Sequence, residues 1–140
     1  MASQLDMSIA NDVQEVGRVI DALEGFGAEN GIAPGQALRF GLALDELITN
    51  VISHGFAGRS GGTIRLSVAY DGGVMRAELL DDGLPFDPLT ADVELPGGDI
   101  DDRKIGGLGV TLVRTIMDRL EYRREDGFNR LKMEMDLKAA

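Results

Sequence analysis

Apolar and polar residues alternate in the segment QLDMSI, where Leu5, Met7 and Ile9 share one face, and this period of two predicts a half-buried strand. The period then lengthens. Val13, Val16, Ile20, Leu23 and Phe26 recur at helical spacing, and Asn11 with Gln14 three residues on has the form of a capping box, so a helix of about four turns is expected to begin there. Residues 27–35 break it. A second helix is predicted from near Pro34, a good first-turn residue, to about His54 and Gly55, with Leu38, Leu42, Leu44, Leu47, Ile48, Val51 and Ile52 turned toward a core.

Beyond Gly61 and Gly62 the pattern returns to two. In TIRLSVAY, Ile64, Leu66, Val68 and Tyr70 alternate with Arg65, Ser67 and Ala69, and Asp71-Gly72-Gly73 makes a short hairpin connection to a second strand, VMRAELLD. Residues 87–106 are irregular, rich in acids, proline and glycine, and a loop that long inside a compact domain is usually functional; it reads as a lid at about 88–106. Val110, Val113, Ile116, Met117 and Leu120 predict a third helix over about 108–120. A last hairpin turns at Asp126 and Gly127, with Leu131, Met133, Met135 and Leu137 alternating inward. The order strand, helix, helix, strand, strand, lid, helix, strand, strand predicts one α+β domain over 1–140. Its form is a two-layer α/β sandwich, with helices on one face of a mixed, mostly antiparallel sheet.

Composition narrows the chemistry. The 140 residues suffice for one domain with a real core, and 44% apolar with 27% charged residues is the balance of a soluble globular chain. No run of about eighteen apolar residues and no basic-then-apolar leader pattern occurs, so neither membrane insertion nor export is expected and the cytoplasm is the expected compartment. With no cysteine and one histidine, disulfides, thiol catalysis, thiolate metal sites and multi-histidine sites are excluded; a metal here would be a hard ion on oxygen ligands. A net charge of -10 argues against direct binding to nucleic-acid phosphates and favours partners with a basic or neutral face.

Three segments carry candidate chemistry. Glu46, Asn50 and His54 lie four apart on the second helix and form a polar stripe on an otherwise apolar element. Alone, such a stripe is what a solvated helix face presents. Read chemically, Asn50 offers a carbonyl oxygen to Mg²⁺ and Glu46, one turn away, acts as general base on a hydroxyl or water, while His54 suits a helix end. In LLDDGLPFDP a strand ending at Asp81 delivers a carboxylate to the sheet edge, where it can accept a hydrogen bond from the exocyclic amine of adenine, and Gly83 lets the backbone approach the ring. By itself Asp-Asp-Gly is a common turn. In IGGLGVTLV, Gly106, Gly107 and Gly109 stand where a loop enters a helix. Exposed amides there bind phosphate oxygens, although the glycines could equally cap and pack the helix.

In this order and with these gaps the three segments resemble the asparagine box and two glycine boxes of the GHKL ATPase superfamily, and more closely the anti-sigma-factor serine/threonine kinases of the RsbW and SpoIIAB type. Pro85-Phe86-Asp87-Pro88, the short lid, IGGLG followed by VTLVRTIMDRLEYRRE, and Asn129-Arg130-Leu131 carry the closer likeness. Two departures weaken the histidine-kinase alternative: Ile105 stands where many histidine kinases have the first glycine of GxGLG, and Pro85 replaces the second glycine of DxGxG. No phospho-acceptor histidine segment precedes the domain, so a complete sensor kinase is not expected, while a detached histidine-kinase catalytic domain stays open.

The resemblance implies a histidine-kinase-like (Bergerat) fold that binds ATP or ADP. Asn50 would hold Mg²⁺, Glu46 would be the catalytic base, Asp81 would read adenine, Gly83 would line the base pocket, and Gly106, Gly107, Leu108 and Gly109 would form the phosphate loop. It further implies a homodimer that phosphorylates a serine or threonine on a STAS-domain anti-anti-sigma protein and sequesters a sigma factor or similar regulator. Two alternatives remain open on the residues: a nucleotide-gated binding module with little or no phosphate transfer, and a simple ATPase using Glu46 on water, since one general base can activate either nucleophile.

Overall fold

The computed structural model describes residues 3–56, 61–89 and 110–137. Five strands, β1 (Ser3–Ile9), β2 (Ile64–Asp71), β3 (Val74–Asp81), β4 (Arg119–Glu125) and β5 (Phe128–Asp136), form one sheet in the order β1-β2-β3-β5-β4. All four pairings are antiparallel, and no parallel pair, which a mixed sheet would have held, occurs among the described residues. Two of them are two-residue hairpins whose turn residues, Gly72-Gly73 and Asp126-Gly127, all have positive φ, the geometry that matches strand twist. Helices α1 (Glu15–Glu29) and α2 (Pro34–Asn50), a π-helical turn (Val51–Gly55), and helical residues 110–116, here α3, complete the described elements.

Period-two patterning places one face of every strand in the core. Ile9, Ile64, Leu66, Val68, Met75, Ala77, Leu79, Leu131, Met133 and Met135 are buried in one cluster with Val19, Leu23 and Phe26 of α1 and Phe40, Leu44, Leu47 and Ile48 of α2. The helices therefore cover one face, as expected. The opposite face stays polar and is laced with ion pairs: Arg76 with Glu134 at 3.0 Å, Arg130 with Glu78 at 3.1 Å, and Arg119 with both Glu134 and Asp136.

Three expectations need correction. Asn11 is not the cap of α1: the helix starts at Glu15 with Gln14 in the cap position and no side-chain cap bond, and Asn11 Nδ2 donates to the carbonyl of Gly61; the turn before the helix is closed by Asp12, whose Oδ1 accepts from the Gln14 amide, and by Glu15 reaching back to the Ala10 amide. Leu38 and Leu42 do not face the core. They lie one turn apart on the outer side of α2, 56% and 42% exposed, while Ala37, Phe40, Gly41, Leu44, Leu47 and Ile48 take the inner face. The third helix ends at residue 116 instead of about 120, since Arg119 and Leu120 are drawn into β4 opposite Glu134 and Met133 and the Asp118 amide bonds the Glu134 carbonyl.

Candidate functional site

Alternation along β3 dictates where Asp81 points. Met75, Ala77 and Leu79 face the helices, so Asp81, two residues beyond Leu79, faces them too and is only 2% exposed. A carboxylate so buried requires partners. Its Oδ1 accepts from the Gly83 amide at 3.0 Å and from Asn129 Nδ2 at 2.9 Å. No hydrogen bond from the described residues uses Oδ2. Burial is the largest influence on the group and raises its pKa above the ordinary carboxylate value, against the opposing pull of Asn129, the Gly83 amide and the Arg124 charge.

Asn129 is the residue the sequence reading left without a role. It stands directly opposite Asp81 in the β3–β5 register and is 3% exposed. Besides Asp81, its Nδ2 donates to the Leu84 carbonyl at 2.8 Å, while its Oδ1 accepts from the Phe86 amide at 3.2 Å and the Tyr122 hydroxyl at 2.5 Å. An amide with two acceptors on one side and two donors on the other has only one workable orientation. Burial raises the Tyr122 pKa, which keeps the phenol protonated as a donor. Asn129 thus ties β4, β5, Asp81 and the acidic turn 81–87 into one rigid unit. Its sequence signals are a polar residue at an inward-facing strand position and a place in the Asn129-Arg130-Leu131 segment of the family likeness, neither of which says what it bonds. Arg124, also on β4, adds a hydrogen bond to the Gly83 carbonyl at 2.8 Å.

The end of the second helix is stitched to the same turn. At the π-helical turn the Gly55 carbonyl accepts from the Leu84 amide at 3.0 Å. Gly83 packs so closely that an added Cβ would lie 2.7 Å from the Gly55 oxygen and 3.1 Å from Asp81 Oδ1, so glycine is required for this approach. His54 stacks at the rim, its ring centroid 5.1 Å from that of Phe86. Immediately before the π segment, Asn50 is half-buried and its Nδ2 is a buried polar atom without a hydrogen-bond partner among the described residues. Native interiors rarely leave such an atom unpaired, and an amide in that state suits a ligand-binding position. Glu46 lies one turn before it, also half-buried.

The fold therefore brings the π turn that directly follows Asn50, on the helix that carries Glu46 one turn earlier, against the Asp81–Gly83 turn at one end of the sandwich. The phosphate-loop candidates Gly106, Gly107, Leu108 and Gly109 lie outside the described residues, as does the expected lid beyond Leu89. The described start of that segment is anchored: Leu89 is buried, its amide bonds Asp87 Oδ1, and its carbonyl accepts from Arg114 of α3 at 3.0 Å. No helix among the described residues is long and apolar enough to cross a membrane.

Residues 9–135 match the family model of the histidine kinase-like ATPase domain. The chain is 34% identical over 98 residues to the serine/threonine-protein kinase BtrW of Bordetella bronchiseptica, covering 69% of each chain. It is 31% identical over 90 residues to the serine-protein kinase RsbW of Listeria monocytogenes, covering 61% of this chain and 57% of that protein. A solved structure of the RsbU and RsbW domains of Rv1364c from Mycobacterium tuberculosis has the same fold, with a TM-score of 0.71 and 17% identity over 99% of this chain and 33% of that one.

Proposed function

The chain belongs to the histidine kinase-like ATPase domain family, and from that premise we propose that it is an ATP-binding, Mg²⁺-dependent serine/threonine protein kinase of the anti-sigma type. The carrying observation is the Asp81 carboxylate, buried at the end of the central strand with Oδ1 held by Gly83 and Asn129 and Oδ2 untaken by the described residues. A buried acceptor held this rigidly is matched to a donor brought by a ligand, as the exocyclic amine of adenine would be. Gly83 lines the base pocket. Gly106, Gly107, Leu108 and Gly109 supply backbone donors to the phosphates.

The residues present also fit a hard cation. The Asn50 side-chain oxygen is a suitable ligand for Mg²⁺ that otherwise keeps waters and phosphate oxygens, while its buried, unpaired Nδ2 is a donor that suits a ligand oxygen and not the metal. Bound there, Mg²⁺ would neutralise charge on the phosphates during transfer. Glu46, on the same face of α2, takes the proton from the attacking serine or threonine hydroxyl, and Asp81 and Asn129 hold the base end still, so that positioning supplies much of the rate.

The substrate is a STAS-domain anti-anti-sigma protein and the second partner a sigma factor or similar regulator, with the kinase acting as a homodimer. The names of the relatives support the kinase and anti-sigma parts of this reading: BtrW and RsbW are called protein kinases, and a relative from Clostridium beijerinckii, 29% identical over 85 residues, is called an anti-sigma F factor. Phosphate added to the STAS partner would place like charge against an acidic chain and release it. The test is transfer of labelled γ-phosphate to a purified STAS partner. Label on a serine or threonine that disappears with Glu46→Ala supports the proposal. Binding without label, tuned by ATP, would replace it with a nucleotide-gated module, and release of free phosphate indifferent to the partner would make it a simple ATPase.

A further inference from the structure

The outer surface of the helix layer carries a feature that nucleotide binding does not use. Between α1 and α2 lies an apolar cavity of about 390 Å³ walled by Ile20, Leu23, Ile32, Ala37 and Leu38, with Gly27 and Gly41 on its floor. The two glycines keep the helices close: a Cβ at Gly41 would lie 3.0 Å from Ile20 Cδ1, and one at Gly27 would lie 3.2 Å from the Ala37 Cβ. Leu38 and Leu42 stand beside this groove as an exposed ridge spaced by one helical turn. Neighbouring exposed leucines next to an apolar cavity are more than the scattered apolar residues of an ordinary surface.

Charge says what can sit there. Helices α1 and α2 carry six carboxylates against two arginines, and one of those arginines, Arg18, is already engaged by Glu15 and the Ser8 carbonyl. Glu24 lines the groove itself, and Asp21 and Glu29 are exposed on the same helix. On the far side of the molecule Arg76, Arg119 and Arg130 of the open sheet face are paired with acids. A second copy docking groove to groove would set acid against acid, which electrostatic complementarity disfavours. A groove-to-sheet contact between copies would be head-to-tail and would not close into a dimer.

We infer that the α1–α2 groove is a docking site for an amphipathic helical segment of another protein, with apolar residues at i, i+3 or i+4 entering between Ile20 and Leu38 and lysines or arginines meeting Glu24 and its acidic neighbours. This surface is independent of the nucleotide site, on the outer side of the helices from Asp81.

The test titrates the full chain with two labelled synthetic helices of about eighteen residues, about five turns. Both carry leucines at i and i+4, one flanked by lysines and the other by glutamates. Fluorescence anisotropy should show saturable binding of the lysine peptide alone, weakening as salt is raised past the screening range, with amide shifts confined to α1 and α2. Leu38→Ser and, separately, Glu24→Lys should each weaken it by about tenfold. Both positions are exposed, so the variants should fold, which an unchanged nucleotide-induced thermal shift or an unchanged circular dichroism melt verifies. Equal binding of the two peptides, no binding, or binding indifferent to Leu38→Ser with Leu42→Lys overturns the assignment. So does a chain that is dimeric in solution and becomes monomeric with Leu38→Ser, because the occupant would then be a second copy.

Discussion

Asn129 donates from Nδ2 to Oδ1 of Asp81 across 2.9 Å, and the two residues are direct partners in the register of β5 and β3. Strand register is thereby converted into site geometry. A slip of β5 by one residue would send Asn129 to the wet face of the sheet and leave Asp81 on the core face without it, so the hydrophobic alternation that buries Leu79 and Leu131 also sets the buried acid against its amide.

Asn129→Ala should be strongly destabilising for a single polar truncation. It would strip partners from the buried Asp81 carboxylate, the Leu84 carbonyl, the Phe86 amide and the Tyr122 hydroxyl. A loss of about 3 kcal/mol is expected, since each buried group left unpaired costs about 1–3 kcal/mol and some will find water. Urea unfolding measures it. A loss below about 1 kcal/mol would mean that the network is not held as described.

Asp81→Asn should act in the opposite direction on the empty fold. Burial raises the Asp81 pKa in the folded chain, so the native state holds that proton more tightly than the unfolded one. The group's favourable contribution is therefore present below the ordinary carboxylate pKa and is lost as pH rises through the raised folded value. An asparagine keeps an acceptor for Gly83 and Asn129 without the buried charge. Melting curves across pH without nucleotide should show Asp81→Asn gaining on the wild type as pH rises above about 4, with no gain at lower pH. A variant less stable than the wild type at pH 7 would contradict burial as the dominant influence.

Much of the fold was legible because its signals are local. Strands β2, β3 and β5 alternate cleanly and the Gly72-Gly73 and Asp126-Gly127 turns announce their hairpins. The errors came from long-range competition. Asn11 had a good local cap to make but bonds Gly61, fifty residues away, and Leu120 fits a helical pattern but pairs with Met133. Leu38 and Leu42 mislead because α2 is apolar on more sides than its neighbours can cover. In the candidate site Glu46, Asn50, Asp81 and Gly83 could be singled out by residue type and spacing. Asn129, Tyr122 and Arg124 could not, since their value depends on strands that meet the acidic turn only in three dimensions.

Asn50→Ala and Glu46→Ala should separate binding from chemistry. Truncating Asn50 removes a buried donor that has no described partner, so apo stability should change by less than about 1 kcal/mol, while nucleotide affinity should fall mainly when Mg²⁺ is present. Glu46→Ala should bind nucleotide as before and lose turnover, as expected for a base used only in the chemical step. Calorimetry with and without Mg²⁺, beside a turnover assay, checks both. Equal loss of binding in the two variants would reject these roles.

Gly83→Ala should pry the acidic turn from the end of the second helix. Its Cβ would meet the Gly55 oxygen at 2.7 Å and the Gly55 carbonyl carbon at 3.1 Å, backbone atoms that cannot swing aside as the end of a flexible side chain would. A destabilisation of about 1–3 kcal/mol is expected, typical of overpacking, together with weakened nucleotide binding. Thermal melting and calorimetry read the two effects. A variant with wild-type stability would show that the contact is looser than its geometry indicates.

Everything assigned to this end of the sandwich depends on nucleotide being recognised through Asp81. The direct measurement is isothermal titration of ATP with Mg²⁺ into the wild-type chain and into Asp81→Asn, with GTP as the control lacking the adenine amine. Saturable binding of ATP in the low micromolar range or weaker, no comparable binding of GTP, and loss of ATP binding in a folded Asp81→Asn variant is the expected result. No heat and no thermal shift from ATP with the wild type, or ATP binding untouched by Asp81→Asn, would contradict it.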